Sequence, residues 1–508
     1  MSQQPSLNSA YDPFQKLPPE VLRLITRQFC SHCCGEYDQP FKVESSVQDT
    51  TTLYNLCLAS PHLRDNSQEV LFHYFGVESI HPLSSGHGWK WRLEPFLRTV
   101  ASRPDLAGSV KIVGLHWRSL NQLSFNGGKA IFDHCAKSLS TSAFSLFLNT
   151  RNDQESQTNT IRQSFLLQGS VPRGVRPGQW LPVVASELFA MMLALLPNIS
   201  YLGVMEDAQY FRSPNIREGR GWRLDVSDPT LDVLGTTTVG LKTLESDYGM
   251  KKLLVRATSL ETFIIGGDLD GPIPEMPSLM HLHIPHSGKH FPTTACLLKC
   301  TGQLKTLSYT VTKSEISTIV RYLDQPRFHD SLESIRLDLR CQPSNETIQP
   351  MPSLKLFTQL KTILLPSCTI WGCHPAGFEP RSLIDILPPS IESLTLLHHL
   401  IPASSGPLCE DMLRLLEATP TSFPQLRTII SDSYEVCNPT LTGLFKQVGV
   451  TVIFQEVPRY PRRYTGQPDD PPNSWGRRSW IEEYQIAIGI DASHEMYPLP
   501  GELSDDDL

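Results

Sequence analysis

One short pattern recurs through the second half of this chain and constrains its fold more than any other feature. It is an apolar residue, two variable residues, an apolar residue, one variable residue and a third apolar residue. It occurs at Leu260, Phe263 and Ile265; at Leu279, Leu282 and Ile284; at Leu304, Leu307 and Tyr309; at Leu332, Ile335 and Leu337; at Leu360, Ile363 and Leu365; and at Ile391, Leu394 and Leu396. Weaker copies start at Ile199, Leu241 and Leu426. The last two apolar positions of each copy are two apart, the period of a strand with one face buried. Successive starts are 19, 25, 28, 28 and 31 residues apart. That leaves room for a return segment but not for a separate domain. Such a chain has one economical solution, in which strand follows return segment and each new strand is laid parallel beside the last.

The return segments support this solution. Residues 312–323 read as a helix with a capping box at Thr312 and Glu315 and an inward face of Ile316, Ile319, Val320 and Leu323. Leu408, Met412, Leu415 and Leu416 share one face of a second helix. Asn438 and Pro439 start a third, with Leu441, Leu444, Phe445 and Val448 inward, and a strand at 450–454 closes the array. Spacing and grammar are those of leucine-rich repeats, which run about 20–29 residues each. Earlier units are expected from a helix at 94–100, a turn at Arg103-Pro104-Asp105-Leu106 and a strand at 110–115, and from a helix at 183–196 feeding the strand near Ile199. The solenoid is therefore expected over 90–455, interrupted by a polar surface loop at about 150–180 and followed by an extended tail at 456–508. Residues 1–12 are expected to be disordered.

Ahead of the repeats lies Leu17-Pro18-Pro19-Glu20-Val21-Leu22-Arg23-Leu24-Ile25. Proline is tolerated in a first helical turn, and Glu20 sits near the positive end of the helix dipole. Val21, Leu22, Leu24, Ile25 and Phe29 then recur at helical spacing. A second apolar helix carries Leu53, Leu56, Cys57 and Leu58, followed by Ala59 and Ser60. Together these residues resemble an F-box, the three-helix module that docks proteins onto the Skp adaptor of cullin–RING ubiquitin ligases. The likeness covers 13–75 and departs from the family in two places. His62-Leu63 stands where many F-boxes have tryptophan, and 30–50 forms a polar insertion longer than the usual join. The 94–115 unit is similar to the first repeat after the F-box in many fungal F-box proteins. The resemblance implies an α/β protein with a small all-α F-box module followed by a leucine-rich-repeat solenoid. It also implies adaptor contacts from Leu17, Pro18, Val21, Leu22, Ile25, Leu56 and Leu58.

Composition narrows the function. The 508 residues carry 44 basic and 52 acidic side chains, a net charge of −8, which argues against a general nucleic-acid binder. The N-terminal dozen residues lack the basic start and apolar core of a secretory signal. The longest strongly apolar run, 188–196, is nine residues, against the roughly 20 that a membrane span needs. An intracellular protein of the cytoplasm or nucleus, with reduced thiols and no membrane partner, is expected. No phosphate-binding loop, zinc-protease HExxH or nucleophile elbow occurs, so no catalytic residue and no cofactor is assigned. Cys30, His32, Cys33 and Cys34 are the nearest approach to a metal site. They crowd into five positions with no second ligand pair following, which favours free thiols. Cys368, Cys373 and His374 form a similar group between repeats. The basic, aromatic stretch Arg459–Tyr464 and the pair His398-His399 read as surface and turn positions.

These readings converge on a substrate receptor of an SCF-type cullin–RING ligase. Its F-box would hold the Skp adaptor and cullin complex, and its repeats an unidentified protein client. The alternative is a leucine-rich-repeat scaffold with no ligase role. Five repeat residues, Leu282, Leu307, Ile335, Ile363 and Leu394, should stack as one buried ladder. The residues between the last two apolar positions, Ile264, His283, Ser308, Arg336, Leu364 and Thr395, should line the opposite, client-facing side of the sheet in register.

Overall fold

The computed structural model describes residues 16–30, 32–34, 43–76, 93–116, 123–142, 145–146, 157–205, 225–246, 250–265, 273–287, 298, 301–311, 316–338, 351–371, 381–398 and 406–455. The tail at 456–508, Arg459–Tyr464 within it, Thr312, Glu315, Cys373, His374 and His399 lie outside the described residues. The protein is α/β, with twelve parallel strands described and helices alternating with them. It divides into two compact units, one formed by 1–263 with 269–278 and the other by 264–268 with 279–508.

The first unit opens with three helices: α1 (Pro19–Arg27), α2 (Val43–Ala59) and α3 (Pro61–Leu71). Pro18 caps α1, and its carbonyl accepts the amides of Val21 and Leu22 at 3.0 and 3.2 Å. Ser60 caps α3 by accepting the Leu63 amide at 3.2 Å, and Pro61 occupies the first turn. Both α1 and α2 pack on α3, burying Leu22, Leu53, Cys57, Leu63 and Val70. The expected insertion at 30–50 is shorter than read, because α2 takes up its last eight residues from Val43.

A two-residue strand, β1 (Tyr74–Phe75), follows α3 and pairs with β2 (Ile112–His116), Tyr74 opposite Ile112. Between them lie α4 (Leu93–Ser102) and α5 (Pro104–Ser109); Phe75 stacks on Phe96 of α4 with centroids 3.9 Å apart. After β2 come α6 (Phe125–Ser138), α7 (Gln157–Gln163) with one wider turn at Ser164–Gln168, and α8 (Pro177–Leu195). The expected loop at 150–180 is thus helical over 157–168 and again from Pro177. The cause is Ile161, Phe165 and Leu166, three buried side chains in a polar stretch. The α8 helix is long and apolar enough to cross a membrane, yet most of it is buried inside the unit. It also carries Glu187, paired with Arg162 and accepting the Ser227 hydroxyl at 2.7 Å and that of Thr230. The unit continues with β3 (Tyr201–Met205), α9 (Asp228–Val233), β4 (Thr243–Ser246) and α10 (Lys251–Arg256), and ends in β5 (Thr262–Ile265), whose last residues belong to the second unit.

The second unit holds β6 (His281–Ser287), β7 (Thr306–Val311), α11 (Ile316–Leu323), α12 (Pro326–His329), β8 (Ser334–Asp338), β9 (Thr362–Pro366), α13 (Cys368–Trp371) and α14 (Leu383–Ile386). It ends with β10 (Ser393–Leu397), α15 (Gly406–Ser422), β11 (Thr428–Ser431), α16 (Pro439–Gln447) and β12 (Thr451–Phe454). Sheet order follows chain order. Leu282, Leu307, Ile335, Ile363 and Leu394 are paired in register and fully buried, as expected. The stacking is kept in phase by a repeated junction. The carbonyl just before each strand accepts two amides from the start of the next: Met280 from Lys305 and Thr306, Lys305 from Glu333 and Ser334, Glu333 from Lys361 and Thr362, Lys361 from Glu392 and Ser393. Each repeat thereby fixes where its neighbour begins, which is the nearest-neighbour coupling of a solenoid.

Candidate functional site

The helical module sorts its apolar residues into two groups. Leu22 and Thr26 of α1 face inward and are buried, whereas Val21, Leu24 and Ile25 are 38, 60 and 40% exposed. On α2, Leu53 and Cys57 face inward, whereas Tyr54 and Leu58, one turn apart, are 55 and 65% exposed. At 100° per residue, Val21, Leu24 and Ile25 form a second stripe on α1 beside the buried one. Of the seven residues expected at the adaptor, Pro18, Val21, Ile25 and Leu58 are open, Leu17 and Leu56 are half-buried, and Leu22 belongs to the module's own core. Leu24 and Tyr54, which that set omitted, are more open than Val21 and Ile25. Their signal was the i, i+4 spacing of Tyr54 with Leu58 and the place of Leu24 next to Ile25.

The row expected to face a client is in register: His283 lies opposite Ser308, Ser308 opposite Arg336, Arg336 opposite Leu364, and Leu364 opposite Thr395. It is not an open surface. Ile264, His283, Ser308 and Leu364 are buried, and Arg336 and Thr395 are half-buried. Alternation fixes which side of a strand a residue occupies, but not whether that side is covered. Burial pushes the His283 imidazole down to about 3, helped by the charges of His281 and Arg336.

Among the described residues, one group of His, Cys and carboxylate side chains is close enough to share an ion: Cys30, His32, Cys33 and His73, whose donor atoms all lie within 4.8 Å of one another. The sequence reading favours free thiols in the cluster Cys30, His32, Cys33 and Cys34 and names no metal ligand; the group in the structure differs from that set in two ways. Cys34 is not in the group, its Sγ lying 3.4 Å from the Gln28 carbonyl instead. His73, about 40 residues on at the end of α3, supplies the fourth donor. Cys30 is buried among Leu53 and Val70, and desolvation pushes its thiol up to about 12 although the backbone amides of His32 and Cys33 favour its thiolate. Desolvation also drives His73 down to about 4. Cys368, the first of the other small group, is buried in the core of the second unit. His398 directly follows β10, and its amide donates to Asp432 at 2.6 Å.

No protein-family model, curated protein or solved structure matches the chain.

Proposed function

We propose that the chain is a non-catalytic receptor subunit. Its helical module docks the Skp adaptor of a cullin–RING ubiquitin ligase, and its repeat units hold a protein client. The observation that carries this reading is the set of open apolar residues, Val21, Leu24 and Ile25 on α1 and Tyr54 and Leu58 on α2, left exposed while Leu22, Leu53, Cys57, Leu63 and Val70 are buried. Fully burying a side chain such as Leu or Ile against a partner contributes about 1.5–3 kcal/mol. Several together can support micromolar docking, about 8 kcal/mol, after the cost of association. The F-box-like motif from Leu17 to Ile25 gives the partner its name by analogy.

The mechanism is proximity. A receptor that fixes a client beside a ubiquitin-loaded enzyme raises the effective concentration of the client's lysines and needs no reactive group of its own. Such a receptor works in the cytoplasm or nucleus. Burial of the His283–Leu364 row moves the client surface off that part of the sheet. The test is co-purification from cells: wild-type chain should bring down the adaptor and cullin, and Leu24→Asp with Leu58→Asp should not. Loss of the adaptor only when the module unfolds, or equal recovery by the double variant, would leave the scaffold reading in its place.

A further inference from the structure

We propose that Cys30, His32, Cys33 and His73 form a structural zinc site that ties the end of α1 to the end of α3 and to the start of the sheet. The donor set comes first. Two thiolates and two imidazoles are the composition of a closed, four-coordinate zinc site, and together they neutralise the ion's two charges. Two sulfur and two nitrogen donors also disfavour the oxygen-seeking cations.

The spacing of the donors agrees with that assignment. With zinc–sulfur and zinc–nitrogen bonds of about 2.3 and 2.0–2.1 Å, a tetrahedron places sulfur and nitrogen about 3.6 Å apart. Cys33 Sγ lies 3.2 Å from His73 Nδ1 and 3.6 Å from His32 Nδ1, and Cys30 Sγ lies 3.7 Å from His73 Nδ1. The two imidazoles meet edge to face, centroids 5.0 Å apart at 78°, so that both can present nitrogen to one point without stacking.

The backbone is built to hold these donors. Cys30 and Cys33 stand in a C-x-x-C turn in which the Cys30 carbonyl accepts the amides of Cys33 and Cys34 at 2.8 and 3.0 Å. His73 is fixed from the other side, its carbonyl accepting the amides of Lys111 and Ile112, both at 2.9 Å. That junction leads directly into the β1–β2 pair. Four protein donors leave no position open for water or substrate, so the role is structural. Among the described residues the apolar contacts around the site are Phe29, Leu53, Val70 and Leu71, and a metal would add a cross-link to them. This inference stands whether or not the module docks an adaptor.

The experiment is elemental analysis of the full chain, purified under reducing conditions and dialysed against a mild chelator. About one zinc per chain is expected, falling to near zero in Cys30→Ser and in His73→Asn and unchanged in Cys34→Ser and Cys437→Ser. Because the two ligand variants can fail to fold, the wild-type chain is also loaded with cobalt. Intense visible bands of tetrahedral cobalt with thiolate charge transfer, displaced by zinc, are expected. Wild-type chain that neither retains nor takes up zinc, weak octahedral cobalt bands, zinc kept by folded Cys30→Ser, or a Cys30–Cys33 disulfide in the freshly purified protein would each overturn the proposal.

Discussion

Ile335→Ala places the largest demand on the repeat architecture. Ile335 is fully buried at the centre of the ladder, between Leu307 and Ile363 on the flanking strands. The change removes three carbons, worth about 2.4 kcal/mol at about 0.8 kcal/mol each. The neighbours cannot close the gap freely, because the carbonyls of Lys305 and Glu333 pin β8 and β9 in register. A residual void on the order of 50 Å³ adds about 1.2 kcal/mol at about 24 cal/mol per Å³. The expected loss is therefore about 3.6 kcal/mol, read as a lower urea midpoint at unchanged slope. Glu333→Ala is the control. It removes an exposed side chain two residues away whose 3.3 Å pair with Lys305 is screened by water, so it should cost no more than about 1 kcal/mol. If Ile335→Ala costs no more than Glu333→Ala, the ladder is not the element that holds the repeats together.

Two further outcomes follow from buried polar groups. Glu187→Ala should cost about 3–5 kcal/mol, because it removes the buried carboxylate that pairs with Arg162 and accepts the Ser227 and Thr230 hydroxyls; thermal unfolding monitored by circular dichroism measures it, and a shift as small as that of a surface variant would refute the pairing. His283 has its folded-state value pushed down to about 3 from an ordinary 6.5, so below pH 6.5 the unfolded chain takes up a proton that the folded chain refuses. Its contribution is complete above pH 6.5 and is lost as the pH falls toward 3, amounting to about 2 kcal/mol by pH 5. His283→Gln should be less sensitive over that window in urea titrations at a series of pH values, and identical pH profiles would show that the imidazole is not held neutral.

Much of this fold was legible because its strands announce themselves by a two-residue period at fixed intervals. The pattern at Leu332, Ile335 and Leu337 reports both the strand and the face it buries, and the same reasoning located β3, β4 and β11 from their weaker copies. What escaped was local structure set by tertiary contact. Tyr74–Phe75 is too short to show a period, and its pairing with β2 comes from the junction at His73. The helix at Gln157–Gln163 hid in a polar segment because its one buried apolar residue, Ile161, sits beside buried Arg162, with Phe165 and Leu166 turning inward only after it. The Cys/His group was half visible. Cys30, His32 and Cys33 stand together in the chain, but His73 joins them only after α3 folds back, a contact that no spacing rule reports. The covering of the His283–Leu364 row was likewise beyond the reach of strand alternation.

The central claim is that the open apolar residues of α1 and α2 belong to a docking surface. Titration calorimetry of the purified chain against purified Skp adaptor tests it most directly, with each variant first shown by circular dichroism to be folded. Saturable one-to-one binding is predicted for the wild type. Leu24→Asp and Leu58→Asp should each weaken it by at least about tenfold, a loss of about 1.4 kcal/mol. Absence of binding by the wild-type chain, or equal affinity in both aspartate variants, would contradict the account.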